Sequence, residues 1–334
     1  SAFTCLAVPT AALASGAKPV YYDIDQNNMM IDLQEIKKLI NANTKAIVIQ
    51  HTLGMGQKFD DIKELCLSKE ILLIEDCALS FGSTLDGELL GSFGDASIFS
   101  FELSKTLSTG WGGILLINNP KLADPVKNYY DQVRELSLFN SVRMLYQTMM
   151  CGLIYLPRVY PIAKYLLPFF FKLKIFAPST PIKEFSGQIQ KDFVSKLPKT
   201  LLPLAIKQLT RFDEICCQHE KNFLIIKEQL EMNEYQLLGS LIEKNRCVSP
   251  RIPFLVEERH KFIDYFDSHG VEVGTWFDGP LSPLPETDNF NYDKSKYPNS
   301  SFIADRVVNL PCHARLTYRD LKLIKKLLID YKNI

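Results

Sequence analysis

At 334 residues the chain is long enough for about two domains around a sizeable core. Apolar residues make up 46% and charged residues 23%, which excludes a disordered protein. With 38 basic and 38 acidic side chains there is no net field to attract nucleic acid, and that class of partner is set aside.

In chain order, SAFTCLAVPTAALASGAKPV reads as a helix entered midway, so residues 1–140 are expected to form a large domain lacking its opening strand and phosphate loop. AKPVYYDID, a short apolar run ending in acids, reads as the first strand of an alternation of strand and helix over 17–120. DLQEIKKLINAN has helical spacing, with Leu33, Ile36, Leu39 and Ile40 on one face. TKAIVIQHTLG predicts a buried strand, FDDIKELCLSKE a helix, and ILLIED a further strand, apolar throughout as a strand covered on both faces should be. ASIFSF and GGILLINN predict two more strands. This alternation implies an α/β domain with a doubly wound, mostly parallel sheet.

Residues 121–139 read as a polar helix. The stretch 141–178 is an apolar helical insert, and within it 142–176 is interrupted by prolines and dotted with Arg143, Arg158, Lys164, Lys172 and Lys174. Its longest uncharged run is too short for a spanning helix, which needs about 20 residues. Two readings stay open: a basic hairpin in peripheral contact with a membrane, or helices in a core or subunit interface. Residues 179–240 carry a long connecting helix, amphipathic over 199–235, with Leu202, Ile206, Leu209, Phe212 and Ile215 as its inner face. Residues 241–334 alternate short strands and helices, a small α+β domain that ends in a helix from Tyr318 to Lys332. The eight cysteines follow no C-x-x-C spacing, which points to reduced thiols and a cytoplasmic setting. Adjacent Cys216 and Cys217 are open to two readings, a metal or redox pair or, the simpler, one buried and one outward-facing residue of a helix.

The chemistry concentrates around Asp76, at the end of ILLIED, and Lys105, which follows ASIFSFELS. A lysine can form an imine, and a buried aspartate can keep a pyridine nitrogen protonated; pyridoxal 5'-phosphate (PLP) chemistry requires both groups. Ser100, before the lysine, offers a hydroxyl to a phosphate, and His51, which ends a strand, is a candidate to stack on or sit beside the cofactor ring. Taken singly, each has an ordinary explanation as surface charge, helix cap or structural histidine, and Glu75 competes with Asp76 as the cofactor-facing acid.

From Phe3 to Asn119 the chain resembles the DegT/StrS-type (DegT/DnrJ/EryC/StrS) sugar aminotransferases. The likeness runs through FTCLAVPTAALASGAKPVYYDID, TKAIVIQHTLG, IEDCALSFGSTLDGELLGSFGDASIFSFELSK and GWGG, then more weakly through LPLAIKQLTRFDEI, PRIPFLV, GVEVGTWF and NLPCHARLTYRDL. It implies a fold-type-I PLP-dependent transferase with a smaller C-terminal α+β domain. It also implies Lys105 as Schiff-base lysine, Asp76 as pyridinium partner and Ser100 as phosphate ligand, in a homodimer with shared sites. The implied reaction is amino transfer from an amino donor to a nucleotide-linked keto sugar, in surface polysaccharide or amino-sugar biosynthesis.

Three positions depart from the family pattern. Leu79 stands where a glutamine or histidine would contact the cofactor's ring oxygen, Trp111 replaces the glutamate of G-E-G-G, and Val194 falls where an asparagine would reach the partner's phosphate. These departures leave two alternatives beside the aminotransferase: a decayed PLP-fold scaffold or sensor, or a different PLP reaction on an apolar substrate. Either could be peripheral to the inner membrane through 142–176.

Overall fold

The computed structural model describes residues 1–156, 159–163, 165–173, 175–178, 180, 182–188, 194–239, 245–284 and 288–333. The first elements are β1 (Thr4–Cys5), α1 (Ala7–Ala14), α2 (Leu33–Leu39), β2 (Ala46–Gln50), α3 (Asp60–Ser68) and β3 (Leu72–Asp76). A two-stranded hairpin follows, β4 (Thr84–Leu85) with β5 (Glu88–Leu89), and then β6 (Ala96–Ser100) and β7 (Gly113–Ile117). The expected sheet is present in the order β2-β3-β6-β7. Its first three strands are parallel, and β7 runs antiparallel to β6. The register aligns Gln50 with Asp76, and Asp76 with Ile98. The carboxyl ends of three parallel strands therefore lie side by side, where α/β folds bind ligands.

Two segments differ from expectation. AKPVYYDID forms no strand; it contributes one isolated bridge, Ile24 to Ile31, and Asp23 accepts the backbone N–H groups of Asn299 and Ser300. Those N–H groups begin a distant helix, so the acid serves as a cap supplied from across the molecule.

The middle of the chain holds α4 (Pro120–Gln132), α5 (Leu138–Ile154), α6 (Tyr160–Ala163), α7 (Leu167–Lys172), α8 (Leu202–Leu209) and α9 (Phe212–Met232). The second difference is that the helix expected over 199–235 is two. Leu202, Ile206 and Leu209, expected inside, are 41%, 60% and 40% exposed. The reason lies in what α8 touches. Ala205 packs with Phe101 and Leu107, and Gln208 forms two hydrogen bonds with the Ser108 backbone, accepting at 2.9 Å and donating at 2.6 Å. The helix is turned to present Ala205 and Gln208, and its leucines face out. Cys216 is buried and Cys217 exposed, as the spacing predicts.

The carboxy-terminal lobe comprises β8 (Gln236–Leu237), β9 (Arg251–Leu255), α10 (Arg259–Ser268), β10 (Leu281–Ser282), α11 (Pro298–Arg306), β11 (Val307–Pro311) and α12 (Tyr318–Lys332). Three strands form an antiparallel sheet, β11-β9-β8. Thr317 and Asp320 close a capping box that fixes the start of α12. One apolar cluster contains Ile49 and Leu73 of the large sheet together with Phe254, Phe262 and Leu310 of the lobe, so the two parts share a core. β1 pairs in parallel with β10, a second tie between them.

Candidate active site

Glu75 and Asp76 are consecutive on β3 and point to opposite sides of the sheet. Glu75 is wholly buried and fully engaged. Its carboxylate accepts the backbone N–H groups of Gly91 (2.8 Å), Phe93 (2.8 Å) and Gly94 (2.6 Å), and lies 3.0 Å from His51 Nε2. Burial alone would raise this carboxyl, but the His51 ring and the Gly94 and Gly91 N–H groups outweigh it and hold it below its ordinary value. His51 is fixed on its other side by Gln57 N–H, which donates to Nδ1 at 3.2 Å. The donor atoms of His51, Glu75 and Cys77 lie within 4.8 Å of one another. Burial drives the Cys77 thiol upward, and Glu75 is already saturated, so the cluster serves to hold the loop at 91–94.

Asp76, also buried, differs in its partners and in the direction of its shift. Its single hydrogen bond comes from Ala78 N–H to Oδ1 at 3.0 Å, which leaves Oδ2 without one among the described residues. Burial raises its carboxyl above the ordinary range, opposed by the Ala78 bond and the charge of Lys105. An acid so placed gains from a nearby positive group.

Lys105 sits in the loop between β6 and β7. Its N–H donates to Glu102 O, while Thr109 N–H and Phe101 N–H close the loop onto Phe101 O and Gly112 O. Gly110, at φ +82°, lets α5 approach so closely that a Cβ there would lie 2.2 Å from Thr148 Oγ1. Thr148 in turn donates to Thr109 O at 3.0 Å. Ser100 ends β6 opposite Gly113, and its Oγ accepts Glu102 N–H at 3.3 Å.

The lobe brings in a residue that the sequence reading passed over. Lys105 Nζ lies 4.8 Å from the Trp276 ring centroid, and the Arg251 guanidinium lies 5.4 Å from the same ring. Asn309, fully buried, grips Trp276 on both sides, accepting its N–H at 2.7 Å and donating to its carbonyl at 2.9 Å. Glu272 stands 3.8 Å from Arg251. A hint was present in sequence, since Trp276 is one of only two tryptophans and lies in GVEVGTWF. The pairing itself depends on lobe packing.

The structure therefore brings Asp76, Lys105 and Ser100 to one sheet edge. His51 is at the same edge but committed to Glu75. Leu79 is 6% exposed within the main apolar cluster and offers no hydrogen bond to a ligand. Trp111 follows the Lys105 loop, its carbonyl accepting the Thr109 hydroxyl. Val194 is 43% exposed, next to residues 189–193, which lie outside the described set.

A mostly parallel sheet with a buried aspartate at one strand end, a lysine loop beside it and an antiparallel lobe joined to it is the arrangement of fold-type I. Solved structures agree: the chain superposes on a DegT/DnrJ/EryC1/StrS aminotransferase from Brucella abortus with TM-score 0.75 at 18% identity, covering 100% of this chain and 78% of that one. A sugar aminotransferase from Streptococcus pneumoniae, solved in PLP form, matches with TM-score 0.73 at 17% identity, over 99% and 79% of the two chains. The chain belongs to the DegT/DnrJ/EryC1/StrS aminotransferase family, whose model matches residues 1–152 and 188–328. GDP-perosamine synthase of Vibrio cholerae is 34% identical over 122 residues, 36% of this chain and 33% of that protein. The chain thus spans about a third of that relative's length.

Proposed function

We propose that the protein is a PLP-dependent aminotransferase acting on a nucleotide-linked keto sugar, with Lys105 as its catalytic amine. The observation that carries this reading is the buried Asp76, short of hydrogen bonds and under the charge of Lys105, at the carboxyl end of a parallel sheet. The donor set fits the cofactor: a carboxylate with a free oxygen, an amine and a strand-end hydroxyl. When bound, PLP supplies an aldehyde and an electron-accepting ring.

Asp76 would hold the proton on the ring nitrogen, and that proton would in turn relieve the strain burial places on the carboxylate. Ser100 would donate its hydroxyl to the phosphate. The Lys105 amine would take up and return a proton at the substrate carbon, a task typically worth about 10²–10⁴ in rate. Trp276 bounds the lysine's space, and Arg251 behind it offers a fixed cation to an anionic group of the substrate. Leu79 withholds a polar contact from the ring, leaving Asp76 to orient it.

Names of relatives support the substrate class. They include a GDP-perosamine synthase and, from Saccharopolyspora spinosa, a dTDP-4-dehydro-2,3,6-trideoxy-D-glucose 4-aminotransferase. We assign the work to a cytoplasmic homodimer in amino-sugar or surface-polysaccharide synthesis; the outward apolar row of α8 supports a dimer contact.

The test is an absorbance spectrum with added PLP, followed by borohydride reduction and peptide mapping. Label fixed on Lys105, together with loss of amino transfer in Lys105→Ala, is the expected result. Label on another lysine, or unchanged turnover in that variant, would overturn the assignment.

A further inference from the structure

We propose that the outer face of α5 and α7 rests on an anionic membrane surface. This goes beyond amino transfer; the family's match takes in α5 as far as residue 152, leaves out α7 and resumes at 188. Val142, Tyr146, Met149 and Leu153 recur along α5 at intervals of four, three and four, which is one face of a helix. They are 51%, 48%, 64% and 56% exposed, while Met144, Gln147, Cys151 and Ile154 on the other side are buried. A surface helix ordinarily turns charge outward; this one is apolar on both sides. On α7, Phe169 and Phe171 are 56% and 42% exposed, and Lys172 beside them is exposed. Among the described residues, 14 of 32 exposed large apolar side chains fall between Leu138 and Leu173, so the exposure is concentrated in this segment.

Charge decides what covers it. Between Glu135 and Glu184 the sequence has Arg143, Arg158, Lys164, Lys172, Lys174 and Lys183 and no acidic residue, in a chain that is otherwise balanced. Of these, Lys172 is exposed on α7, and Arg158, Lys164 and Lys174 lie outside the described residues; a second copy of this acid-free segment meeting it across a two-fold axis would still set like charge against like. An anionic bilayer suits both components: the apolar side chains enter the headgroup boundary, and the cations meet lipid phosphates. No helix among the described residues is long and apolar enough to cross a membrane, so the contact is peripheral. The face is also tied to the site. Thr148 of α5 holds the loop of Lys105 through Thr109, and Tyr160 of α6 donates to Glu272 at 2.9 Å, next to Arg251.

The experiment is co-sedimentation of the protein with vesicles of phosphatidylcholine alone or with added phosphatidylglycerol. Binding is expected only with phosphatidylglycerol and weakens as salt shortens the screening length. The double variant Met149→Asp, Leu153→Asp should not sediment, its circular dichroism unchanged because both side chains are more than half exposed. Lys172→Ala should bind about fivefold more weakly. Absence of binding to the mixed vesicles, or binding that the double variant retains, overturns the proposal. So does light scattering in which that variant converts an oligomer to monomers, which would assign the face to a second copy. None of these readouts depends on amino transfer.

Discussion

Lys105 and Trp276 meet between the two parts of the molecule, with the ammonium 4.8 Å from the indole centroid and Asn309 clamping the tryptophan backbone. The lysine comes from the loop after β6 and the tryptophan from the lobe, so this contact measures how well the two are assembled. A cation over an indole face is worth about 0.5–2 kcal/mol, depending on desolvation. That energy belongs to the resting ammonium; Trp276→Ala also removes the ring that bounds the amine's space and should lower kcat/KM. Trp276→Phe should recover part of the loss. Equal kinetics for all three proteins would remove Trp276 from the site.

The neighbouring acids Glu75 and Asp76 should respond to substitution in opposite ways. Glu75→Ala strands the His51 ring and three backbone N–H groups in the interior, each unmet donor costing about 1–3 kcal/mol. A large fall in Tm and poor soluble yield are expected. Asp76→Asn removes a carboxylate that burial already disfavours, so Tm without PLP should hold or rise while amino transfer fails. Thermal scans of both variants beside activity assays decide this; a destabilised Asp76→Asn protein would contradict it.

Acid should weaken the fold through two imidazoles. Burial, then the charges of His219, Arg251 and Arg315, lower His313 from its ordinary 6.5 to about 4, and burial also lowers His219. Both are kept neutral in the folded state, so their contribution is complete above pH 6.5. For His313 it declines as pH falls toward about 4, and for His219 it changes in the same direction, because the unfolded chain takes up protons that the folded one refuses. The slope can reach about 1.4 kcal/mol per pH unit for each group. Urea titrations between pH 7 and 4 should show the decline, and His313→Gln should flatten it.

The row Leu202, Ile206 and Leu209 on α8 tests the dimer. Ile206 is 60% exposed, so Ile206→Asp should leave the monomer folded. Light scattering is expected to report a dimer for the parent and a monomer for this variant. A parent that is monomeric at all concentrations would refute the assignment.

Much of the candidate site's placement in the fold was legible because its signals are local. Asp76 closes an apolar strand, and Ser100 and Lys105 lie five residues apart beyond the next one, so strand periodicity brings them to one edge. The roles of Glu75 and His51 were not legible in this way. Which of two consecutive acids faces the cleft depends on which face of the sheet the 91–94 loop folds against, and that loop claimed Glu75. The inner face of α8 was misread for a similar reason. Its contacts are made by Ala205 and Gln208, which a count of leucines does not weigh, and their partners lie about a hundred positions away in the chain.

Sequence alone determined what short-range periodicity and composition control: the alternation of strand and helix, the parallel sheet, the aspartate–lysine pair and the basic, apolar stretch after residue 141. Tertiary structure decided everything that requires two distant segments to meet. It seated Trp276 over Lys105, turned α8, drew Asp23 to a helix 276 positions away and left one side of α5 uncovered. Hydrophobic burial is non-directional, so the pattern in the chain specifies that a face must be covered. Only the packed molecule specifies by what.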